Sequence, residues 1–432
     1  MKLLNNKIAS NALWIIVGRI AQSLVALVVG MLTARYLGPS NYGLLSYASS
    51  IVAFVVPIMN LGLNNILVQE VTNNPDEEGR IFGTSLILSV VSAFACIFGV
   101  STYTFLVDAN EPTTNWVVIL YSVLLIFQAL ELMQYWFQAK LLSKYMSIAS
   151  LLAYIFVATY KITLLVKGAS IYYFAISNSI DYFLIAIFLI LAYKKLGGQH
   201  LSFSKDTALR MLSSSKHYII ADLMVTIFAQ TDRIMLKLIL NEEAVGYYSA
   251  AVTCACITSF VFVAIIDSMR PSIFAYKKAG DLERYEKGIS RTYCIIIYLA
   301  LGQCVLMTVF AKIIIVVLYG GAFEPSVITL RIVVWFTTFS YMGAVRNIWI
   351  LGEGKQKYLW IINFGGAITN IVLNATLIPV FGVNGAAFAS LATQFFTNVI
   401  MNVIVRPLKY NNHLMWKGLN PNLIIELIKS NR

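Results

Sequence analysis

Charge is what this chain has least of. Only 12% of its 432 residues are Asp, Glu, Lys or Arg, about half the share of a water-soluble domain. Histidine is down to three residues, His200, His217 and His413, too dispersed for an H-x-x-x-H or H-E-x-x-H metal motif. There is no G-x-x-x-x-G-K-[ST] loop to cradle nucleotide phosphates, and no D-x-D pair to hold a metal–sugar nucleotide. No polar stretch is long enough to form a catalytic domain outside a membrane. These absences argue against an enzyme. The five cysteines, Cys96, Cys254, Cys256, Cys294 and Cys304, are odd in number, lack C-x-x-C spacing and fall inside apolar stretches. They read as small packing residues, not as disulfides or metal ligands.

What fills the chain instead is apolar sequence, 59% of all residues. Twelve runs follow one another with short polar gaps, at 10–35, 42–68, 81–107, 115–138, 145–167, 170–193, 216–239, 244–269, 291–318, 326–350, 357–378 and 383–406. About 20 residues at a 1.5 Å rise cross the ~30 Å hydrocarbon core of a bilayer. The expected fold class is therefore an all-α integral membrane protein of about 12 transmembrane helices.

The net charge of +12 does not point to nucleic acid, because most of the 32 Lys and Arg fall in segments facing one side. By the positive-inside bias, both termini and the polar segments 194–216 and 270–291 are cytoplasmic. The excess of basic residues also attracts anionic lipid headgroups. Lys2 and Lys7 precede a run too long for a signal peptide, which reads as an uncleaved first helix. Trp14, Trp136, Trp349, Trp360 and Trp116 stand near span ends, as in an interfacial aromatic belt. Beyond Pro421, the spacing of Leu423, Ile424, Leu427 and Ile428 predicts a short amphipathic interfacial helix.

The two halves are weakly self-similar. A shift of 203 pairs Leu37, Gly43, Ser46 and Ala48 with Leu240, Gly246, Ser249 and Ala251. A shift of 213 pairs Trp136, Lys144 and Tyr145 with Trp349, Lys357 and Tyr358. Gly168, Phe174 and Ala175 then match Gly382, Phe388 and Ala389. The order predicts two six-helix lobes, 1–200 and 201–432, as a parallel repeat about a pseudo-twofold axis along the membrane normal. Transporters built this way hold substrate between the halves and work by alternating access.

Ionisable residues inside the spans are the informative minority, because a charge at mid-bilayer costs about 2.5–3.5 kcal/mol even on the lenient insertion scale. They are Arg19, Glu131, Lys161, Asp181, Asp222, Asp232, Arg233 and Arg346. Arg19, Ser23, Ala26 and Gly30 share one helical face, widened by Gln22 and Thr33. Asp222, Thr226, Ala229 and Arg233 repeat that spacing in the second half, flanked by Gln230 and Asp232. Two such faces suit a hydrated cavity between lobes; a mutual Arg19–Asp222 salt bridge is the blander alternative. The stretch Pro57, Asn60, Gly62, Asn64, Asn65 predicts irregular backbone, or else ordinary packing through small and amide residues. Lys161, near the outer end of its span, is able to snorkel.

The run Leu32-Thr-Ala-Arg-Tyr-Leu-Gly-Pro-Ser-Asn-Tyr-Gly-Leu44 with Leu61-Gly-Leu63 resembles the first two helices of Wzx-type polysaccharide-export flippases. These belong to the multidrug/oligosaccharidyl-lipid/polysaccharide (MOP) superfamily. Gln230-Thr-Asp-Arg-Ile-Met-Leu236 and Ala244-Val-Gly-Tyr-Tyr-Ser-Ala-Ala251 resemble the family's seventh and eighth helices. Asn370 to Asn374 and Ile378-Pro-Val-Phe-Gly-Val-Asn-Gly-Ala-Ala387 resemble its eleventh and twelfth. The resemblance implies movement of an undecaprenyl-pyrophosphate-linked oligosaccharide across the bacterial inner membrane, for O-antigen, capsule or exopolysaccharide assembly. It implies as partners the lipid-linked oligosaccharide, membrane lipids, a polysaccharide polymerase and chain-length machinery. Arg19 and Arg233 match the family's cationic cavity, with Gln22, Ser23, Thr226, Gln230, Asn60 and Asn64 around water or sugar. Asp222, Asp232, Asp181 and Glu131 depart from a purely cationic cavity, either as coupling candidates for protons or sodium ions or simply to neutralise the arginines. No other cofactor is expected. The competing readings are a MATE-like exporter of cationic drugs and, more distantly, a membrane-embedded glycan polymerase or ligase.

Overall fold

The computed structural model describes residues 7–423, with side chains from residue 25 onward. The helices are α1 (Lys7–Met59), α2 (Leu67–Asn73), α3 (Glu78–Val107), α4 (Pro112–Ser122), α5 (Leu124–Leu130), α6 (Gln134–Ala139), α7 (Ser143–Val166) and α8 (Ile171–Lys195). They continue as α9 (Lys205–Ile239), α10 (Glu242–Ala255), α11 (Ser259–Lys278), α12 (Leu282–Tyr319), α13 (Ser326–Gly352), α14 (Leu359–Phe381), α15 (Val383–Phe395), α16 (Met401–Ile404) and α17 (Lys409–Lys417). Among the described residues, ten helical segments are long and apolar enough to cross a membrane. This is an all-α, multi-pass membrane protein.

Ten segments and twelve apolar runs are reconciled by local chemistry. The first run and the second, as far as Met59, lie in one continuous element, kinked where Gly38 takes φ 72°, ψ 175° ahead of Pro39. The run 216–239 falls within α9, which carries Asp222, Asp232, Arg233 and Lys237 and so is not among the ten. The run 244–269 is broken at Cys256–Thr258 between α10 and α11. The polar segment 270–291 is mostly helix, because α11 runs on to Lys278 and α12 begins at Leu282. The tail helix expected beyond Pro421 lies, from residue 424, outside the described residues.

Two compact units emerge, Met1–Gln230 and Thr231–Arg432, so the divide lies inside α9. The lobes drawn from the sequence at 200/201 place it earlier in the chain. In the first unit α1 packs on α7, α4 and α3, while α8 packs on α7, α5 and α4. Its core gathers Leu63, Phe82, Trp136, Phe137 and Tyr193. In the second unit α13 sits at the centre, against α10, α12 and α15. Ala244, Gly246, Ser249, Ala250 and Ala251 are buried on α10, the small residues that let helix backbones approach in lipid. Outward faces are apolar, as with Phe98 (76% exposed), Val166 (83%) and Val309 (65%).

The aromatic-belt expectation fails for two tryptophans. Trp136 and Trp349 are 3% and 2% exposed and belong to the cores of their units. Trp136 meets Tyr193 edge-on at 4.9 Å, and Lys355 lies 4.4 Å from the Trp349 ring centroid. Trp116 and Trp360 are exposed, as an interfacial position requires.

Candidate functional site

The break expected near Asn60 is present. After α1, Leu61 (φ 52°) and Gly62 (φ 67°) take left-handed conformations in succession, and a 3-10 turn follows at Leu63–Asn65. Gly62 also has no room for a side chain, since a Cβ there would lie 2.5 Å from the Ser215 carbonyl oxygen. The first part of α9 therefore lies directly on the break. Asn65 Nδ2 donates to Asp222 Oδ2 at 3.0 Å and to Asn64 Oδ1 at 3.3 Å. Thr226 turns its hydroxyl back to the Asp222 carbonyl at 2.9 Å. Ser50 donates to Gln230 Oε1 at 3.0 Å. Asp222 thus has an amide partner in place. Arg19, Gln22 and Ser23 lie outside the described side chains.

The polar residues read along 222–233 are shared between the two units. Their first part joins the first unit through Asn65 and Ser50, whereas Thr231 onward belongs to the second. Arg233 Nε donates to Ser249 Oγ at 3.1 Å. Asp232, 7% exposed, lies at the centre of a polar cluster. Its Oδ1 accepts from Asn370 Nδ2 at 2.9 Å and Asn374 Nδ2 at 2.6 Å. Its Oδ2 accepts from Ser390 at 2.5 Å and from the Tyr248 hydroxyl. Asn374 also donates to Asn370 Oδ1 at 3.1 Å. Four neutral donors from α10, α14 and α15 therefore saturate one buried carboxylate.

This cluster joins stretches that the sequence had shown only as separate motifs. Asn370 and Asn374 stand four apart on one helix face, and both are fully buried. That spacing was the available signal; the roles of Tyr248 and Ser390 carried none. Among the described residues, no three His, Cys, Asp or Glu gather as metal ligands.

Of the remaining ionisable residues, Glu131, Lys161 and Asp181 lie close enough to interact electrostatically in the first unit, and Arg346 lies in the second. Glu131 opens a 3-10 turn, Glu131–Met133, that interrupts the fourth apolar run. Lys161 does not snorkel; its Nζ turns inward to Asn178 Oδ1 at 3.1 Å, and Asn178 Nδ2 donates to Tyr121 Oη at 2.8 Å. A half-buried amide gives the ammonium a nearer partner than the interface. Asp181 lines a cavity of about 340 Å³ inside the first unit. Arg346, 4% exposed, donates to the Thr397 carbonyl at 2.8 Å and to Asn347 Oδ1 at 3.2 Å. That carbonyl lies in a π-helical turn, Phe396–Ile400. The turn rearranges backbone pairing, and the guanidinium supplies a donor. Arg346 reads as a structural cation.

Comparison with known proteins follows the same lines. Residues 8–277 match the polysaccharide biosynthesis protein family. An uncharacterized membrane protein of Methanocaldococcus jannaschii is 24% identical over 242 residues, 52% of this chain and 47% of that protein. The chain thus spans about half the length of that relative. The lipid II flippase MurJ in an inward closed conformation superposes with TM-score 0.70 at 13% identity, covering 96% of this chain and 92% of that one. An inward-facing MATE family transporter of the MOP superfamily gives 0.66 at 12% identity, covering 90% and 96%. A MOP superfamily transporter from Pyrococcus furiosus gives 0.60 at 13% identity, covering 94% and 98%. At such identities the likeness is one of fold. The family rests on the sequence match: the chain belongs to the polysaccharide biosynthesis protein family, built on the MOP-superfamily transporter fold.

Proposed function

We propose that this protein is a flippase that moves an undecaprenyl-pyrophosphate-linked oligosaccharide across a bacterial cytoplasmic membrane by alternating access, for surface polysaccharide assembly. The observation that carries the reading is the family match over residues 8–277 in a chain with the fold of lipid-transporting and drug-transporting MOP proteins. The chemistry suits it. Such a substrate needs cations for its pyrophosphate, water and polar side chains for its sugar, and a path that leaves its lipid tail in the bilayer. Arg19 and Arg233 are the proposed pyrophosphate ligands. Gln22, Ser23, Asn60, Asn64, Thr226 and Gln230 are the proposed contacts to water and sugar. Both termini lie in the cytoplasm on this reading, and a polysaccharide polymerase with its chain-length machinery takes up the product.

The membrane potential drives an anionic headgroup outward, contributing up to ~4.6 kcal/mol per 100 mV for two charges. If a proton or sodium ion is also coupled, accessibility favours Asp222 as its carrier. A cation reaching Asp232 must displace one of four donors, whereas a single amide is seen on Asp222.

Export of surface glycan by cells whose own flippase is deleted tests this reading. Arg19→Ala should abolish export while the protein stays folded and inserted. Arg19→Lys should be milder, since charge persists although the bidentate fork is lost. Full export by Arg19→Ala would remove that residue from the account. Wild-type protein that restores no glycan but lowers sensitivity to cationic drugs would replace the flippase reading with a drug exporter.

A further inference from the structure

The cavity inside the first unit has chemistry that the pyrophosphate ligands do not use. Its volume is about 340 Å³, and its walls come from α1, α4, α5, α7 and α8. The rings of Tyr121, Tyr154 and Tyr182 stand around it together with Gln128, Asn178 and Asp181. Internal hydrogen bonds have already taken up many of the donors. Lys161 is bound to Asn178, Asn178 Nδ2 to Tyr121 Oη, and Gln128 Nε2 to Tyr182 Oη at 3.5 Å. Of the buried polar atoms on the wall, those without a hydrogen-bond partner are acceptors, Asp181 Oδ1 and Gln128 Oε1. A buried acceptor left unmet costs about 1–3 kcal/mol, so whatever fills the cavity, water or a ligand that displaces it, must bring donors.

The wall excludes most candidates. Acyl chains bring no donors. Phosphate and pyrophosphate are acceptors, and Asp181 repels them. A sugar ring fits on each count: its hydroxyls donate to Asp181 and Gln128, and its C–H faces lie flat on tyrosine rings. Pockets for small molecules begin at about 300 Å³, so the space is of the right order for a sugar unit. A small cation would also satisfy acceptors: the ammonium of Lys161 works against it and the Glu131 carboxyl near Asp181 works for it, so sodium is the competitor that the experiment must separate.

We propose that this cavity is a sugar-binding subsite, with Asp181 and Gln128 as hydroxyl acceptors and Tyr121, Tyr154 and Tyr182 as stacking surfaces. The proposal rests on the flippase reading and assigns Asp181 to sugar recognition rather than to ion coupling. It locates selectivity for the glycan in the interior of the first unit, separate from Arg233 in the second.

The test compares binding of bare undecaprenyl pyrophosphate with a panel of the same lipid carrying one hexose, one N-acetylhexosamine or one hexuronic acid. The protein is purified in a detergent without sugar headgroups, and thermal shift and competition report the dissociation constants. At least one glycosylated lipid should bind about tenfold tighter than the bare lipid, a gain on the scale of one or two net hydrogen bonds. Gln128→Ala and Asp181→Asn should each erase most of that gain and leave bare-lipid binding unchanged. Tyr154→Phe, which keeps the ring, should keep most of it. Two results overturn the subsite: no panel member gaining over the bare lipid, or variants that retain the gain. If Asp181→Asn instead keeps the sugar gain and alters only the response to pH or sodium, the cavity serves an ion and the proposal is wrong. Failure of the flippase reading looks different, since then wild-type protein binds neither the bare nor the glycosylated lipids.

Discussion

At the scale of single residues, Asp232 shows how a charge survives inside the second unit. Its carboxylate accepts from Tyr248, Ser390, Asn370 and Asn374. Replacing it leaves those donors facing one another. Asp232→Ala should therefore cost well over the ~1–3 kcal/mol of one unmet buried donor, visible as a large fall in thermal unfolding temperature in detergent. Tyr248→Phe, which removes one donor and keeps the ring, should cost only about 1–2 kcal/mol. An Asp232→Ala protein as stable as the parent would show that the cluster is not structural. The sequence marked Asp232 as an ionisable residue in a span, but its partners lie 16, 138, 142 and 158 positions away, beyond any local spacing rule. The inward course of Lys161 is hidden from the sequence for the same reason. Snorkelling follows from position along a span, while its actual partner, Asn178, is set by packing of α7 against α8.

At the scale of elements, two joints depend on glycines that leave no room for a side chain. The segment joining α8 to α9 is laid on the start of α3. Gln199 bridges the Gly79 amide and the Pro75 carbonyl, Ser202 donates to the Gly79 carbonyl, and the Ser204 amide donates to Thr84. A Cβ at Gly83 would come within 2.5 Å of Ser202 backbone atoms. Gly83→Ala should lift this strap, and limited proteolysis should then cut faster after Lys195 and Lys205. Unchanged cleavage would mean that the segment is held elsewhere. In the second unit, Gly343 admits Asn398 of the π-turn, so Gly343→Ala should cost about 1–3 kcal/mol in a thermal melt through overpacking. Apolar length made most spans readable. It could not show that the run 244–269 breaks at Cys256–Thr258, because no proline or glycine marks that place. The break at Leu61–Gly62 was readable, because Pro57, the asparagines and Gly62 announce it.

At the scale of the whole molecule, function rests on sidedness and on substrate. The charge bias predicts that Asn110 and Ala279, both exposed, face opposite sides of the membrane. A membrane-impermeant maleimide applied to intact cells should label Asn110→Cys and spare Ala279→Cys. Equal labelling would overturn the topology. The central claim is that the chain moves a lipid-linked glycan, and it is tested most directly with purified protein in liposomes. Undecaprenyl-pyrophosphate-linked oligosaccharide, fluorescent on its sugar, is incorporated and then exposed to a membrane-impermeant quencher. Without protein, only the outer-leaflet half of the signal should be lost. With protein, the protected fraction should disappear over time, and with Arg19→Ala it should persist. Protection that stays intact in the presence of folded wild-type protein, with and without an imposed potential and ion gradient, would contradict the account.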